Sequence, residues 1–345
     1  MTEKRGNIPR IQDVAKMANV STATVSRVLS FPDRVSEATR EVVLQAIEKT
    51  GYTINHSARN LRKGGTGAIL VLLPNLANSF FSRVLKGIEA VASGYGFNIL
   101  IADSQFPPID EATFGNLFNT NRIDGAIILD GNIPRSYFKR ATRQKPQLVF
   151  ACEWISDCAV TTFHIDNLAG AVMATDHLVG LGHRKIGHVT GPTNNILSQH
   201  RLAGFEQSLK KHNLPCPRDW KITGDFTIES GVKAARHWLA LPKDNRPTAL
   251  FCASDEMAFG LISELHQNAV KVPDDLSIIG FDDVEFAAHS IPALTTIHQP
   301  RRRIGEAAAR ALIHKIRDAE APMPPQPVFE LELVLRASTA PLPLC

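Results

Sequence analysis

The chain has 345 residues, of which 44% are hydrophobic and 21% charged, with a formal net charge of +4. That length suits two or three domains at roughly 150 residues each, and the composition is that of a globular rather than a disordered chain. No apolar run reaches the roughly 18 residues of a membrane span, the polar first ten residues lack the apolar core of a secretory signal, and none of the five cysteines forms a Cys-x-x-Cys pair. A membrane protein, a secreted disulfide scaffold and a structural zinc site are therefore not expected; a cytoplasmic protein with reduced thiols is.

The charge is unevenly placed. Residues 1–63 hold 11 Lys/Arg and 6 Asp/Glu, whereas the remaining 282 hold 27 and 28. A basic module on a neutral body points to a polyanionic partner, although a solvated surface would read the same from charge alone.

In chain order, Ile11, Val14, Ala15 and Ala18 share one face of a short helix. Asn19-Val20 breaks it, and Ser21 can cap a second helix over 22–29. Val25, Val28 and Leu29 face inward there, while Thr22, Ala23, Ser26 and Arg27 point elsewhere. Pro32-Asp33 makes a turn. Ser36 can cap a third helix with Ala38, Val42, Val43, Ala46 and Ile47 on its apolar side, and Gly51 suits the left-handed position that ends it. Two short helices joined by a tight turn and braced by a third form a helix-turn-helix unit, whose second helix offers its first residues to base edges in the major groove. The alternative is a small three-helix packing module.

Ile11–Leu29, Val35–Arg40, Gly51-Tyr52 and Ser57–Arg62 together resemble the headpiece and hinge helix of the LacI/GalR transcription regulators. The resemblance implies that Thr22 and Ala23 are the main base readers, assisted by Ser26 and Arg27. It places Ala58 and Leu61 in the minor groove, Leu61 as a wedge. The residue chemistry agrees. Arg27 can read guanine bidentately, and an apolar wedge flanked by Arg59 and Arg62 suits a kinked minor groove. Residues 57–63 are too short for a stable isolated helix and are expected to order on DNA.

Gly64-Gly65-Thr66-Gly67 punctuates the chain. Beyond it, strands are predicted over 68–73, 97–102, 126–129, 147–151, 186–190, 248–253 and 276–280. Helices are predicted over 81–91, 167–180, 199–213 and 257–267. This alternation predicts an α/β body of parallel sheets covered by helices, and the restart near residue 166 predicts two such sheets. Motifs such as His164-Ile-Asp-Asn167, Ser254-Asp-Glu-Met-Ala258 and Ser277-Ile-Ile-Gly-Phe-Asp282 extend the family resemblance through the body. They imply a two-lobed architecture similar to periplasmic sugar-binding proteins, with crossovers near 166, 298 and 327. The expected organisation is a headpiece over 1–56, a hinge helix and linker over 57–65, and a body over 66–345. The N-terminal lobe is expected over about 66–166 and 299–327, and the C-terminal lobe over about 167–298 and 328–340.

Ligands in such folds bind beyond the carboxyl ends of the strands. Asn78, Phe80, Phe81, Arg201, Phe226, Ser254, Asp282 and Gln299 fall there. Aromatic faces with planar polar groups suit a polyol ring, and an Arg–Asp pair suits vicinal hydroxyls. Packing is the alternative for Phe80, Phe81 and Phe226. The resemblance adds Asn195 and Leu197 at a nucleobase-reading position, with Glu153, Trp154 and Asp166 completing the lining. It points to the family's cytidine-responsive members, hence to a nucleoside or pentose effector, with a hexose or sugar phosphate as the alternative.

No P-loop, Gly-x-Ser-x-Gly or metal-binding spacing is present. Asp282-Asp283 could suggest paired carboxylates, but adjacent residues at a strand end point apart. No enzyme, cofactor or metal site is expected. The expected function is a ligand-switched DNA-binding transcriptional repressor acting on a pseudo-palindromic operator. The resemblance implies a homodimer rather than a tetramer, because the family's tetramers use a C-terminal heptad and two prolines near the end of this chain break any such helix. The alternative is a solute-binding receptor, which would need an export signal and would not need residues 1–63.

Overall fold

The structure, a computed structural model, describes residues 9–52, 65–105, 110–119, 122–134, 136, 147–156, 158–319, 321–323 and 325–342. The residues expected to form the hinge helix, among them Ala58, Arg59, Leu61 and Arg62, lie outside these. The chain divides into two units, Met1–Gly65 and Thr66–Cys345.

In the first unit, helices α1 (Ile11–Met17), α2 (Thr22–Ser30) and α3 (Glu37–Thr50) pack on one another. Their core is Val14, Ala15, Ala18, Val25, Val28, Val43 and Ala46. The turn between α1 and α2 is made by Asn19 at φ 50°, a left-handed geometry that Asn tolerates better than most residues. Ser21 caps α2 by accepting from the Thr24 amide at 3.0 Å. Gly51 ends α3 in the left-handed region at φ 66°. Two expectations need correction. Ala38 and Val42 are exposed rather than inward, because α3 meets its neighbours through a narrow stripe of Val43 and Ala46. Ser36 occupies the N-cap position of α3, but its hydroxyl meets the Thr39 hydroxyl at 2.9 Å instead of a backbone amide.

The second unit begins with β1 (Ala68–Leu73), buried at all six positions. Such a continuous apolar run is expected of a strand covered on both faces. Then follow α4 (Phe80–Gly94), β2 (Asn98–Asp103), α5 (Glu111–Asn119), β3 (Gly125–Ile128), β4 (Gln147–Ala151) and β5 (Thr162–Phe163). These strands form a parallel sheet in the order β2-β1-β3-β4-β5.

The chain then enters α6 (Asn167–Gly180), β6 (Ile186–Thr190), α7 (Ile196–Lys211), β7 (Lys221–Thr223), α8 (Ile228–Ala240), β8 (Ala249–Cys252), α9 (Asp255–Gln267) and β9 (Ser277–Ile279). The second parallel sheet runs β7-β6-β8-β9. β10 (Thr296–His298) lies beside β9 through the Ile279–Thr295 and Asp282–His298 bridges. The chain then returns to the first sheet as α10 (Arg301–Arg317), which packs on α4, β3 and β4. It comes back once more to pair β11 (Glu332–Val334) with β10.

Helices α8 and α10 pack through faces rich in small residues. In α8 the buried face is mostly small, with Ser230, Gly231, Ala234 and Ala235. The helix α10 opens on three arginines and buries Ile304, Gly305, Ala308 and Leu312 beyond them. Its closeness to α4 requires glycine on both sides: a Cβ on Gly87 would lie 2.1 Å from the Arg302 carbonyl oxygen, and one on Gly305 would lie 2.2 Å from that of Val84.

Candidate functional site

Helix α2 buries Val25 and Val28 and leaves Thr22, Ala23 and Arg27 exposed, with Ser26 half-buried. The four expected base readers are thus free of core duty, which follows from the 3.6-residue period. They occupy the start and middle of a capped helix whose first turn carries no acidic residue.

In the second unit, polar side chains from both sheets meet at the carboxyl ends of their strands. Arg201, one turn into α7, is buried, and its guanidinium lies over the Phe281 ring with the carbon 3.8 Å from the centroid. Its Nε donates to Asn167 Oδ1 at 2.9 Å, and its Nη1 donates to the Ala253 carbonyl. That same Nη1 is 3.6 Å from Asp282 Oδ1, which accepts from Gln299 Nε2 at 2.6 Å. Burial pushes the Asp282 carboxyl above the ordinary range, against the pull of Arg201, Arg301 and Gln299. Burial also lowers the Arg201 guanidinium, against Asp282 and Glu153. Both directions say that desolvation outweighs the pairing, as buried ion pairs often show.

Opposite them, Glu153 follows β4. Its carboxylate accepts from Asn195 Nδ2 at 2.9 Å and from the Gly131 amide at 2.8 Å. Burial, and then the neighbouring Asp130, push its pKa up to about 7. Asp130 in turn accepts from the Ser104 hydroxyl at 2.5 Å. The cluster therefore holds a carboxyl group that titrates near neutrality.

Several expected residues serve as posts for this wall. Asn195 caps α7, its Oδ1 accepting from the Leu197 and Ser198 amides. Ser254 caps α9 through the Met257 amide. Asn78 holds the Phe80 amide at 2.9 Å. Phe80 and Phe81 meet edge to face at 5.2 Å inside the main core, the packing alternative for these two rings. Trp154 stacks on His164 at 4.2 Å. Leu197 is buried. Asp166 does not join the cluster: it is exposed and caps α6 by accepting from the Ala169 amide. Asp283 points away from Asp282, to His298 at 2.8 Å and Arg336 at 2.7 Å.

Phe226 is half-buried at φ 66°, and Asp282 stands at φ 118°. Non-glycine residues in this region store about 1–3 kcal/mol each and gather at ligand sites. Phe226 packs directly on Gly191, where a Cβ would lie 2.2 Å from the Phe226 Cζ and 2.3 Å from Ser198 Oγ. Ser198 Oγ is buried with no hydrogen-bond partner among the described residues. Asp255 follows the predicted strand 248–253 beside Ser254, where pocket residues are expected, whereas Ser198 and Asn167 are additions to the site. Asn167 belongs to the His164–Asn167 motif, and the burial of Arg301 has no sequence signal. Asp255 is fully buried, accepting from Thr296 Oγ1 at 2.6 Å and the Val284 amide at 2.8 Å. Burial and Asp282 raise its pKa well above the usual value.

A capped helix with a free polar face on one unit, and a polar inter-sheet constellation on the other, are the parts of a ligand-responsive DNA-binding protein. Residues 10–55 match the profile of bacterial regulatory proteins of the lacI family, and residues 175–339 match a periplasmic binding protein-like domain. The chain is 38% identical over 341 residues to the HTH-type transcriptional repressor CytR of Escherichia coli K12, covering 99% of each chain. It is 35% identical to the repressor PurR of Photobacterium profundum, covering 96% of this chain and 99% of that one. Its fold matches the lac repressor dimer bound to operator and an anti-inducer with a TM-score of 0.81 at 26% identity, covering 97% of this chain and 100% of that one. It matches a LacI-family regulator from Enterococcus faecium with bound ribose with a TM-score of 0.70 at 27% identity, covering 80% and 100%. The chain belongs to the LacI family: it is a DNA-binding transcriptional regulator with a periplasmic-binding-like effector domain.

Proposed function

We propose that this regulator is a cytoplasmic, non-enzymatic repressor that acts as a homodimer on a pseudo-palindromic operator and is switched by a nucleoside or pentose. The observation that carries the effector reading is the buried Arg201–Asp282–Gln299 group next to the half-buried Phe226 ring. Arg201 Nη2 and Asp282 Oδ2 make no hydrogen bond among the described residues, so a donor and an acceptor are left for vicinal hydroxyls. Phe226 supplies an apolar face for the ring, and the Glu153–Asn195 pair supplies a second polar wall. Asn78, Phe80, Phe81, Trp154, Leu197 and Ser254 support these groups. The ribose seen in the Enterococcus faecium relative fits the same chemistry.

On the DNA side, Thr22, Ala23, Ser26 and Arg27 read base edges, Arg27 supplying about 1–3 kcal/mol of discrimination through a bidentate guanine contact. Ala58, Arg59, Leu61 and Arg62 dock in the minor groove, where Leu61 unstacks the central step. The exposed Leu100 and Ile101 on the edge strand β2 offer an apolar surface for pairing two bodies. Two headpieces then meet two half-sites. Effector draws the two sheets' strand ends together and alters the approach of the hinge segments to DNA. The experiment is thermal unfolding of the full chain against nucleosides, pentoses, hexoses and sugar phosphates. A nucleoside or pentose at about 100 times its dissociation constant adds about 2.7 kcal/mol. A response confined to hexoses or sugar phosphates overturns the effector class.

A further inference from the structure

A cavity of about 510 Å³ opens where the chain crosses from β10 to α10. It is lined by five arginines, Arg83, Arg301, Arg302, Arg303 and Arg336, against the carboxylates of Asp283 and Glu285. Three of the arginines are spoken for. Arg336 pairs with Asp283 at 2.7 Å, Arg302 with Glu306 at 2.9 Å, and Arg83 with Glu285 at 3.5 Å. Arg303 is exposed and has no ion-pair partner among the described residues. Arg301 is only 4% exposed; it donates to the Asp283 carbonyl at 2.6 Å and the Phe80 carbonyl at 3.4 Å, but its buried Nε has no hydrogen-bond partner among the described residues.

The lining carries more positive than negative charge, five arginines against Asp283 and Glu285. Arg301, Arg302 and Arg303 form the first turn of a 17-residue helix, and no acidic residue stands there. A helix N-terminus carries partial positive charge and favours anions. Three arginines in that first turn add to its positive end rather than offset it. The size lies within the range of small-molecule pockets, and guanidinium forks match phosphate oxygens in geometry and charge.

We propose that this cavity binds a phosphate-bearing small molecule, as a second ligand site distinct from the Arg201–Asp282 group. Its walls come from both parts of the body. Arg83 and Arg301–Arg303 stand on α4 and α10, which pack with the first sheet, while Glu285 and Arg336 neighbour residues packed with the second. Gln299 reaches both sites, lining the cavity while its amide holds Asp282. An anion held here ties the two parts at their crossing and adds a second input to the regulator.

The test uses the full chain, with inorganic phosphate and ribose 5-phosphate as probes and ribose and chloride at matched ionic strength as controls. Binding is read by calorimetry and thermal unfolding in the wild type, in Arg303→Gln, and in Arg302→Gln/Arg303→Gln. Saturable binding of phosphate or its ester is expected, weakened about tenfold or more in the double variant. Equal binding of both probes assigns the site to inorganic phosphate, and tighter binding of the ester assigns it to a phosphorylated metabolite. Asp282→Asn must keep phosphate binding even where it loses the effector, so the two sites fail separately. No saturable binding, binding retained in the double variant, or a response only to an acidic peptide overturns the proposal.

Discussion

Glu153 and Asn195 stand after strands of different sheets, yet the Asn195 amide donates to the Glu153 carboxylate at 2.9 Å. The two halves of the body are therefore joined by a titratable group. Its pKa is pushed to about 7 from the ordinary 4.5 because it is buried beside Asp130.

That shift sets a pH dependence of stability. A raised folded pKa means that the folded state holds the proton more tightly than the unfolded one. The stabilisation is complete below about pH 4.5 and is lost as pH rises through about 7. The span corresponds to about 3 kcal/mol. Urea unfolding across this range is expected to show falling stability with rising pH in the wild type and a flatter profile in Glu153→Gln. Identical slopes would remove Glu153 as the source.

Asp282→Asn keeps the shape of the Gln299 contact while removing the charge near Arg201. Effector affinity is expected to fall by about 2 kcal/mol or more, as when a charge-assisted hydrogen bond is deleted. Operator affinity without effector is expected to stay near wild type. Calorimetric titration and DNA-binding assays check the two halves. Loss of folding in this variant would mean that Asp282 is a packing residue.

Gly191→Ala pushes a methyl group into the space shared by Phe226 and Ser198. Overpacking of this kind lowers stability by about 1–3 kcal/mol, and the displaced Phe226 ring is expected to weaken effector binding. Unchanged effector affinity, measured by titration, would place the ligand elsewhere.

Arg27→Ala leaves the headpiece core of Val25 and Val28 untouched because Arg27 is exposed. Its melting temperature is expected to hold, while discrimination at one operator position relaxes by about 1–3 kcal/mol. Leu61→Ala is expected to reduce DNA bending. Anisotropy on operator variants and a bend-angle measurement test these two.

Much of the fold was legible because its signals are periodic. β1, β4, β6 and α6 have the bounds that apolar runs and capping residues predict. α8 and α10 are not among the predicted helices, although both bury large apolar side chains, Trp238 in one and Ile304, Leu312 and Ile313 in the other, beside small residues such as Gly231 and Gly305. At the site, Arg201, Asp282 and Gln299 could be read because polar residues at strand ends have few structural duties. Asn195 and Ser254 were placed at the same wall, but their side chains cap helices, a role that residue type alone leaves open. The left-handed backbone at Asp282 and the buried hydroxyl of Ser198 arise from tertiary packing.

The central claim is that one ligand held by Arg201 and Asp282 alters DNA binding by α2 and the hinge. The most direct measurement is operator affinity, by anisotropy, with and without a saturating nucleoside or pentose that stabilises the protein. The account predicts a change of about 5–150-fold, mirrored in effector affinity with and without operator, and lost in Asp282→Asn. Equal operator affinity in both conditions, with the ligand demonstrably bound, would contradict it.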